Sequence, residues 1–487
     1  MPEKEMDIEN ALTFDDILLK PAYSDILPRE VDIRTQLTPK ITLNIPLMSA
    51  AMDTVTESKM AIKMAKDGGI GIIHRGLTIR SQAEEVEKVK KYESGMVIRP
   101  KTISPLKRVK DARKIMNDQG ISGLVVTDES DVVIGIVCNR DVRFVKDDNT
   151  RIQDVMTKHV ITVREDTTPE DAKKLLDEKK IEKLPVVDES WRLRGLITAK
   201  DIEKTAQSPL ASKDALGRLR CGAAVGVDKD RMKRIEELIG VGCDVIVIDT
   251  AHGDSLRVVN AVKEAKKNFP KIEIIAGNIA TKEAAERLIG AGADGVKVGV
   301  GPGSICTTRV IAGVGVPQIS AIREVASVAR LHNIPVIADG GIKYSGDIAK
   351  ALAMGASSVM IGNLFAGTDE APGDTVLYQG RTYKVYRGMG SVGAMKKGAR
   401  DRYAQDDMID SKLVPEGVEG RVSYRGKLED TVYQLLWGLR AGMGYTGKKT
   451  IPLLWTANLV RITSAGLRES HPHDVLMIED PPNYQTR

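Results

Sequence analysis

One cysteine lies in a segment that could carry covalent chemistry. Cys306 belongs to the run VGVGPGSICTTR (298–309), in which three glycines let the backbone turn sharply and approach a ligand closely. A thiolate is a strong nucleophile, and backbone N–H groups and nearby cations lower the pKa of a thiol. Cys221 and Cys243 lie among apolar residues instead, as structural cysteines do. We therefore predict that Cys306 is a nucleophile and that Ser304 donates a hydrogen bond to a phosphate oxygen.

Polar side chains also follow the ends of several short apolar segments. Parallel strands that each lead into a helix bring their carboxyl ends to one face, and barrel enzymes place their active sites there. At a single loop, Gly and Asp can serve turn geometry alone, but seven such loops together indicate a site. The loops are Ser49–Asp53, His74, Asp249–His252, Gly277–Asn278, Gly299–Cys306, Asp339–Gly341 and Gly362–Asn363.

Eight apolar segments have the length and order of barrel strands. Amphipathic helix patterns alternate with them, for example TKEAAERLIGAGA (281–293). Such an alternation is typical of a parallel (β/α)8 barrel, the TIM-barrel fold. The predicted strands are Ile45–Ala50, Ile70–Ile73, Ala223–Val227, Val245–Asp249, Glu273–Ala276, Gly295–Val298, Pro335–Ala338 and Ser357–Ile361.

An internal repeat interrupts this alternation between the second and third strands. Residues 103–143 recur as 163–203, a period of 60, and each copy reads helix, strand, turn, strand, helix. The pair resembles a tandem CBS (cystathionine-β-synthase-type, Bateman) module over about 95–206, with copies at about 95–153 and 154–206. The barrel is therefore predicted to close from two pieces of the chain, about 1–94 and 207–487.

A long polar stretch follows the last predicted strand. Residues 364–430 are rich in Gly, Arg and Asp, and the stretch is too long for a passive connection. We predict a mobile flap over about 380–430.

Composition and charge exclude several classes of function. The net charge is +5 over 487 residues, which is too weak and dispersed for a nucleic-acid-binding protein. None of the four cysteines has metal-ligand spacing such as C-x-x-C, so we expect a reduced, cytoplasmic protein. The N-terminus is acidic without an apolar run, and no stretch approaches about 18 consecutive apolar residues. We therefore expect neither a signal peptide nor a membrane span.

Several long segments resemble the inosine monophosphate dehydrogenase family. The cysteine loop matches that family's loop, and the resemblance covers essentially the whole chain, including the inserted repeat. The other matching segments are LMSAAMDTVTE (47–57), GGIGIIHR (68–75), DTAHG (249–253), AGNIAT (276–281), IADGGI (337–342), EAPGD (370–374), YRGMGS (386–391) and RESHPHD (468–474).

The resemblance implies NAD-dependent oxidation of inosine monophosphate to xanthosine monophosphate, the committed step of guanine nucleotide synthesis. In the family a cysteine attacks C2 of the purine, hydride passes to NAD, and water hydrolyses the covalent thioimidate. Cys306 matches this nucleophile, and Thr308 matches the residue that positions the water. Arg402 and Tyr403 match a flap pair that enters the vacated NAD site and activates the water. Arginine can act as a base only where desolvation and geometry favour proton loss.

The substrate-binding residues follow from the same resemblance. Asp339 matches the aspartate that accepts hydrogen bonds from the ribose hydroxyls, and phosphate held after strands 7 and 8 is a common barrel arrangement. Many relatives have Ser where this chain has Asn363, which leaves that contact's geometry open. The matching residues are Ser304, Asp339, Gly340, Gly341, Gly362, Asn363, Tyr386, Arg387, Gly388, Met389, Gly390 and Glu416.

The resemblance also implies a cofactor site and a cation site. Asp249, Gly299, Val300 and Gly301 match NAD contacts, and no G-x-G-x-x-G motif opens a βαβ unit, so the site is not of the Rossmann type. The family binds a monovalent cation, usually K+, through backbone carbonyls and a neighbouring subunit, which implies an oligomer, typically a tetramer. The matching ligands are the carbonyls of Gly301, Gly303 and Cys306, with Glu469, Ser470 and His471 from the neighbour.

The CBS-like module implies a second region for adenine or guanine nucleotides. Such modules bind ribose through Ser/Thr-x-x-Asp, which the second copy has as Thr198-Ala199-Lys200-Asp201. The first copy runs from Cys138 to Asp141 and has Cys in place of the hydroxyl. We expect the second site to bind better than the first. The alternative is a spacer without a ligand.

Three other functions fit parts of the sequence. A guanosine monophosphate reductase shares the barrel and the cysteine loop, but it usually lacks the Arg402–Tyr403 pair, and VPEGVEG (414–420) also favours the dehydrogenase. A flavin-dependent barrel oxidase holds phosphate in the same place but gives no role to Cys306. An inactive CBS-bearing scaffold or a nucleic-acid binder would need none of these residues.

Overall fold

Eight parallel strands of the computed structural model close into a barrel, which confirms the predicted (β/α)8 fold. The structure describes residues 8–92, 97, 98, 100–164, 166–199, 202, 208–406, 408–478 and 481–484. The ring is complete because the last strand pairs with the first. The strands are β1 (Leu47–Ser49), β2 (Ile70–Ile73), β3 (Cys221–Val225), β4 (Val245–Asp249), β5 (Glu273–Ile279), β6 (Gly295–Val298), β7 (Val336–Asp339) and β8 (Ser358–Ile361).

The chain forms two units, one of which contains this barrel. The barrel unit comprises Met1–Lys90, Leu210–Ser212 and Leu219–Arg487. The inserted unit comprises Lys91–Pro209 and Lys213–Arg218. All eight barrel strands belong to the barrel unit, so the insertion enters the chain between β2 and β3.

Side chains of each strand alternate between the barrel interior and the helix layer. Val245 and Val247 of β4 belong to the interior cluster, whereas Ile246 and Ile248 pack between strands and helices. A hairpin near the strands' amino ends, formed by Thr35–Thr38 and Ile41–Leu43, adds Leu37, Ile41 and Leu43 to the interior cluster. The interior is therefore a packed core, and the loops at the carboxyl ends carry the site.

One helix follows each strand around the outside of the barrel. Ser255 and Thr281 start two of these helices, because their side chains accept the amides of Val258 and Ala284. The helices are α1 (Ser58–Lys66), α2 (Ile79–Lys91), α3 (Arg231–Gly240), α4 (Leu256–Asn268), α5 (Lys282–Gly290), α6 (Gln318–Ala329), α7 (Ser345–Ala353) and α8 (Leu428–Tyr445).

The connection from β8 to α8 contains the segment predicted as a flap. An antiparallel sheet forms from Thr375–Tyr378, Arg381–Arg387 and Glu419–Ser423. Between its last two strands the chain makes short helical turns at Val392–Ala394, Met395–Ala399, Arg400–Tyr403 and Asp410–Lys412. We keep the name flap for residues 380–430.

Each copy of the repeat in the inserted unit has a helix followed by two antiparallel strands, as predicted. The predicted continuation at Lys200 and Asp201, and the predicted boundaries near residues 94 and 206, lie outside the described residues. The elements are Val109–Gln119, Gly123–Thr127 and Val133–Cys138 in the first copy, and Pro169–Lys179, Lys183–Val187 and Leu193–Thr198 in the second.

Shorter elements complete both units. Within the described ranges, no helix is long and apolar enough to span a membrane. The short elements are Phe14–Asp16, Ile17–Leu19, Pro28–Glu30, Thr308–Ile311, Arg330–His332, Asn363–Ala366, Ile451–Leu454, Leu459–Arg461 and Ser464–Glu469 in the barrel unit, and Val97–Ile98, Thr102–Ile103, Asn139–Val142 and Ile152–Val155 in the inserted unit.

Candidate active site

A cavity of about 790 Å3 lies at the carboxyl ends of the barrel strands. Residues at or just after the carboxyl ends of β1 and β4 to β8 line it together with the flap, so the site exists only when the barrel is closed. The predicted residues that line the cavity are Asp249, Gly299, Gly301, Gly303, Ser304, Cys306, Asp339, Gly340, Gly341, Gly362, Asn363, Tyr386, Gly388, Met389, Gly390, Arg402, Tyr403 and Glu416.

The cysteine loop is held between its own backbone and the flap. The amide of Cys306 donates to the carbonyl of Gly303 at 3.1 Å, and the amide of Thr307 donates to the carbonyl of Glu416 at 3.0 Å. The Cys306 sulfur is partly exposed and lies 3.1 Å from the Oγ1 of Thr308. A candidate nucleophile and a hydroxyl that could hold a water molecule therefore stand side by side.

Arg309, a residue that sequence reasoning did not single out, fixes the two ends of this loop. Its guanidinium donates to the carbonyl of Val300 at 3.1 Å and to that of Val316 at 2.6 Å. Gly301 has φ +81°, and a Cβ there would lie 2.5 Å from the Arg309 side chain. Only glycine leaves room for the arginine at this position. Val300 therefore contributes its carbonyl to the loop's geometry, and its buried side chain does not line the cavity.

Three uncharged donors meet where β6 and β8 end. Asn363 Nδ2 donates to the Oγ of Ser304 at 3.2 Å. Burial raises the pKa of Tyr386, so its phenol stays protonated and can donate. At Gly362 a Cβ would lie 2.7 Å from the Tyr386 hydroxyl. These residues suit a bound phosphate, and the side-chain amide of Asn363 provides one of the donors.

A buried lysine, missed by sequence reasoning, connects two predicted binding carboxylates. Lys297 of β6 is 2% exposed, and its Nζ contacts Asp339 Oδ2 and Asn278 Oδ1 and lies 3.0 Å from Asp249 Oδ1. The sequence did contain a signal for this site, namely a lysine inside an apolar strand. A charge buried in this way requires partners of opposite charge. One ammonium thus holds the aspartates predicted for the substrate ribose and for the cofactor.

The flap reaches the cavity through Arg402. Its guanidinium contacts the Oδ2 of Asp249, and its carbonyl accepts the amide of Ala251 at 3.1 Å. Arg402 Nε makes no hydrogen bond with the described residues, and Asp249 Oδ1 has an ion pair with Lys297 Nζ among them. A buried donor left open in this way is typical of a site that binds a ligand.

Burial changes the acidity of both flap residues that were predicted to be catalytic. It lowers the pKa of Arg402, and the charge of Arg75 acts in the same direction while Tyr403 opposes it. Burial also raises the pKa of Tyr403, which packs so closely on Gly390 that a Cβ there would lie 2.7 Å from its ring. Arg402 therefore loses a proton more readily than an exposed arginine does.

Several predicted residues lie outside the cavity lining. Arg387 forms an ion pair with Asp53, so its side chain is engaged elsewhere. Glu469, Ser470 and His471 lie at and just beyond the C-terminal helix Ser464–Glu469, where His471 Nδ1 is 2.9 Å from the Tyr484 hydroxyl; of this group none lines the cavity.

The carbonyls predicted to bind a cation differ in their hydrogen bonding. That of Gly303 accepts the amide of Cys306. Those of Gly301 and Cys306 accept no hydrogen bond from the described part of the chain. Over the same residues no cluster of three His, Cys, Asp or Glu side chains could hold a metal. Free carbonyl oxygens suit a hard cation.

The inserted unit has a smaller cavity of its own. It measures about 300 Å3, and the carboxylate of Asp141 lies elsewhere in the same copy, where its Oδ2 accepts the amide of Cys138 at 2.7 Å. The cavity is lined by Thr102, Ile103, Ser104, Lys107, Asp111, Lys114 and Ile115.

Comparisons with known proteins agree on one family. The model of the IMP dehydrogenase / GMP reductase domain matches residues 11–473. The chain is 59% identical over 489 residues to an inosine-5'-monophosphate dehydrogenase of Aquifex aeolicus (99% of each chain) and 55% identical over 480 residues to one of Bacillus subtilis (98% of each). It is also similar, with a TM-score of 0.87 and 41% identity, to a crystal structure of a cysteine-to-alanine variant of GMP reductase from Trypanosoma brucei with guanosine 5'-monophosphate, over 96% of this chain and 99% of that one.

Proposed function

Because the chain belongs to the IMP dehydrogenase / GMP reductase family, we propose how its own residues carry out the reaction of the dehydrogenase branch. The chain is an NAD-dependent oxidoreductase that converts inosine monophosphate to xanthosine monophosphate. Full-length relatives at 59% and 55% identity are dehydrogenases, which favours this branch over the reductase branch.

One observation carries the proposed residue roles. The thiol of Cys306 lies 3.1 Å from the Thr308 hydroxyl at a cavity that Asp339 enters from β7 and Arg402 enters from the flap. Nucleophile, ribose acceptor and candidate base therefore line one cavity, and the water-holding hydroxyl lies directly behind the nucleophile. A covalent step followed by hydrolysis needs these four groups together.

The first step forms a bond between the Cys306 sulfur and C2 of the purine. The thiol gives up its proton, and the hydrogen on C2 leaves with its electron pair as hydride, so the product is a thioimidate. NAD, when bound, supplies the acceptor for this hydride. Asp249 Oδ2, which Arg402 contacts while the flap is closed, suits a ribose hydroxyl once the flap opens, and Gly299, Val300 and Gly301 form the adjoining backbone.

The second step hydrolyses the thioimidate. Water held by Thr308 adds to C2, Arg402 accepts the proton of that water, and the carbon–sulfur bond breaks as the Cys306 sulfur regains a proton. Tyr403 packs beside Arg402 and holds it in the cavity. The lowered pKa of Arg402 makes this proton transfer feasible in a buried site.

The remaining substrate contacts are assigned by position around the cavity. Asp339, held by Lys297, accepts the ribose hydroxyls. Phosphate lies among the donors of Ser304, Asn363 and Tyr386, with glycine backbone close by. The other proposed contacts are Gly340, Gly341, Gly362, Arg387, Gly388, Met389, Gly390 and Glu416, of which Arg387 would contribute through its backbone.

A monovalent cation and an oligomer complete the proposed enzyme. The carbonyls of Gly301, Gly303 and Cys306 would hold K+ and stabilise the cysteine loop. Glu469, Ser470 and His471 of a neighbouring subunit would supply the other ligands, which requires an oligomer such as a homotetramer. Replacement of K+ by Li+ should lower turnover, because the smaller ion does not suit a large carbonyl-lined site.

The inserted unit is proposed to be a tandem CBS module over about 95–206, between barrel segments 1–94 and 207–487. It would bind an adenine or guanine nucleotide, and the Thr198 copy would bind better than the Cys138 copy. Isothermal titration of the whole chain with ATP and with GTP tests this idea. Absence of heat with both nucleotides would leave the module as a spacer.

The test of the catalytic proposal is NADH formation from inosine monophosphate. We expect turnover by the unmodified chain, no turnover by Cys306→Ala, and a nucleotide adduct at position 306 by intact-mass analysis. A matched Cys243→Ala variant, changed at a buried cysteine away from the cavity, should keep turnover. NADPH consumption with guanosine monophosphate instead would assign the chain to the reductase branch.

A further inference from the structure

A buried ion pair outside the substrate contacts joins the flap to the barrel. Arg75, in the loop after β2, makes two contacts to the carboxylate of Asp401 in the flap. Their side chains are only 3% and 8% exposed. The carboxylate also accepts the amide of Val227, after β3, at 3.3 Å. Asp401 is therefore held by two barrel loops, immediately before Arg402.

The barrel leaves space for this pair at one glycine. A Cβ at Gly226 would overlap both the Nη1 of Arg75 and the Oδ2 of Asp401. Any side chain at this position would displace the paired groups, and both are too buried to move aside into water. The fit of the ion pair thus depends on Gly226, whose Cβ position faces Arg75 and Asp401 and neither Arg402 nor the cysteine loop.

Closing the flap brings the charge of Asp401 out of water. An unpaired buried carboxylate is strongly unfavourable, so the closed flap requires the guanidinium of Arg75. When the flap closes, Arg402 takes the carboxylate of Asp249, which is also the proposed cofactor contact. The closed flap and a bound dinucleotide therefore compete for Asp249.

We propose that Arg75 and Asp401 are positioning residues that hold the flap closed, set Arg402 for hydrolysis and thereby oppose cofactor binding. This inference rests on the proposed function of Arg402. The charge of Arg75 adds to the effect of burial in lowering the pKa of Arg402. The pair is thus expected to influence both where Arg402 lies and how readily it gives up a proton.

Two variants of the full chain test the proposal by different routes. Asp401→Asn removes the charge, and Gly226→Ala leaves both charges in place but removes their space. Each is compared with Asp406→Asn, which breaks an exposed ion pair between the flap and Arg257 of α4. The measurements are the NADH burst, the decay of the covalent adduct, and calorimetric titration of ADP-ribose in the presence of inosine monophosphate.

We expect slower hydrolysis of the adduct together with tighter binding of the cofactor fragment. The burst should be unchanged, because hydride leaves before the flap closes. Adduct decay should slow by about tenfold or more in Asp401→Asn and Gly226→Ala. ADP-ribose should bind several-fold more tightly to both variants, because the flap competes less for Asp249. Asp406→Asn should behave as the unmodified chain in all three measurements.

General damage to the fold predicts a different result, since it would weaken ADP-ribose binding and reduce the burst. Slower hydrolysis without tighter ADP-ribose binding would overturn the proposal, and so would normal adduct decay in both variants. Absence of an NADH burst in the unmodified chain would instead refute the proposed function itself. The two failures are therefore distinguishable.

Discussion

At the scale of single residues, the site is built from buried charges that compensate one another. Lys297 holds Asp339 and lies 3.0 Å from Asp249, and Arg402 contacts the other oxygen of Asp249. Two cations thus face two carboxylates, which offsets the cost of removing each of them from water. Departure of Arg402 would free one carboxylate oxygen. The same set of charges can therefore accept either the flap or a ligand hydroxyl.

The pKa of Arg402 gives a prediction for pH dependence. Burial lowers its folded pKa below that of an exposed arginine, and hydrolysis requires the neutral form. Below that pKa the neutral fraction, and with it the rate of adduct hydrolysis, should rise about tenfold per pH unit. Adduct decay measured between about pH 7 and pH 10 should show this rise in the unmodified chain. In Arg402→Gln the rise should be absent, while the NADH burst remains.

Arg400→Gln is the matched control for this experiment. Arg400 lies in the same helical turn but pairs with the exposed Asp410, so its loss should leave the slope of the pH profile unchanged. A pH-independent decay in the unmodified chain would contradict the role of Arg402 as a base. So would loss of the burst in Arg402→Gln, because that step precedes hydrolysis.

At the scale of secondary-structure elements, the ends of two strands are fixed by one helix. Gln318, the first residue of α6, is 1% exposed. Its Nε2 donates to the carbonyl of Val298 at 2.9 Å and to that of Asp339 at 3.1 Å. Gly299 fits between them, because a Cβ there would overlap the Asp339 carbonyl. The start of the cysteine loop and the ribose aspartate are thus positioned by the same amide.

Replacement of this amide should affect stability and substrate binding together. Gln318→Leu leaves two buried carbonyls without their donor, which should cost about 1–3 kcal/mol of unfolding free energy. It should also raise KM for inosine monophosphate, because Asp339 is no longer fixed. Urea unfolding and steady-state kinetics measure the two effects.

Ser327→Ala, on an exposed position of α6, provides the comparison. Its hydroxyl bonds only the carbonyl of Glu324 within the helix, so stability should change by less than about 0.5 kcal/mol. If Gln318→Leu matches this control in both stability and KM, the amide does not position the two strand ends.

At the scale of the whole molecule, the barrel-unit residues that flank the insertion contact one another's neighbourhood at β3. Lys90, at the end of α2, pairs with Asp244 at 2.8 Å, and Asp244 accepts the amide of Cys221 at the start of β3. After the insertion, Ser212 accepts the amide of Arg220 at 2.9 Å. These flanking residues of the barrel unit therefore contact the amino-terminal end of β3, whereas the cavity lies at the carboxyl ends of the strands.

This arrangement predicts that the barrel unit can act alone. A variant in which residues 92–208 are replaced by a short Gly/Ser linker should still form NADH from inosine monophosphate. Its kcat/KM should change by less than about tenfold, or about 1.4 kcal/mol, because all cavity-lining residues belong to the barrel unit. Circular dichroism and NADH absorbance are the measurements. A folded but inactive variant would show that catalysis depends on the inserted unit.

The sequence by itself determined the architecture and the position of the reactive loop. Continuous apolar segments alternating with amphipathic helices predicted all eight strands, because buried parallel strands need apolar residues on both faces. Gly-rich spacing around Cys306 indicated the loop that lines the cavity, since close backbone approach needs glycine. These signals are local, and a sequence displays them directly.

Only the tertiary structure decided which charged side chains meet. Arg75 and Asp401 are 326 positions apart, and the sequence around either residue does not predict that the two form a pair. Lys297 reads in the sequence as one charge in an apolar strand, and its contacts with Asp249 and Asp339 follow from the order of β4, β6 and β7 around the ring. Barrel closure brings these groups together, and burial then makes each depend on its partners.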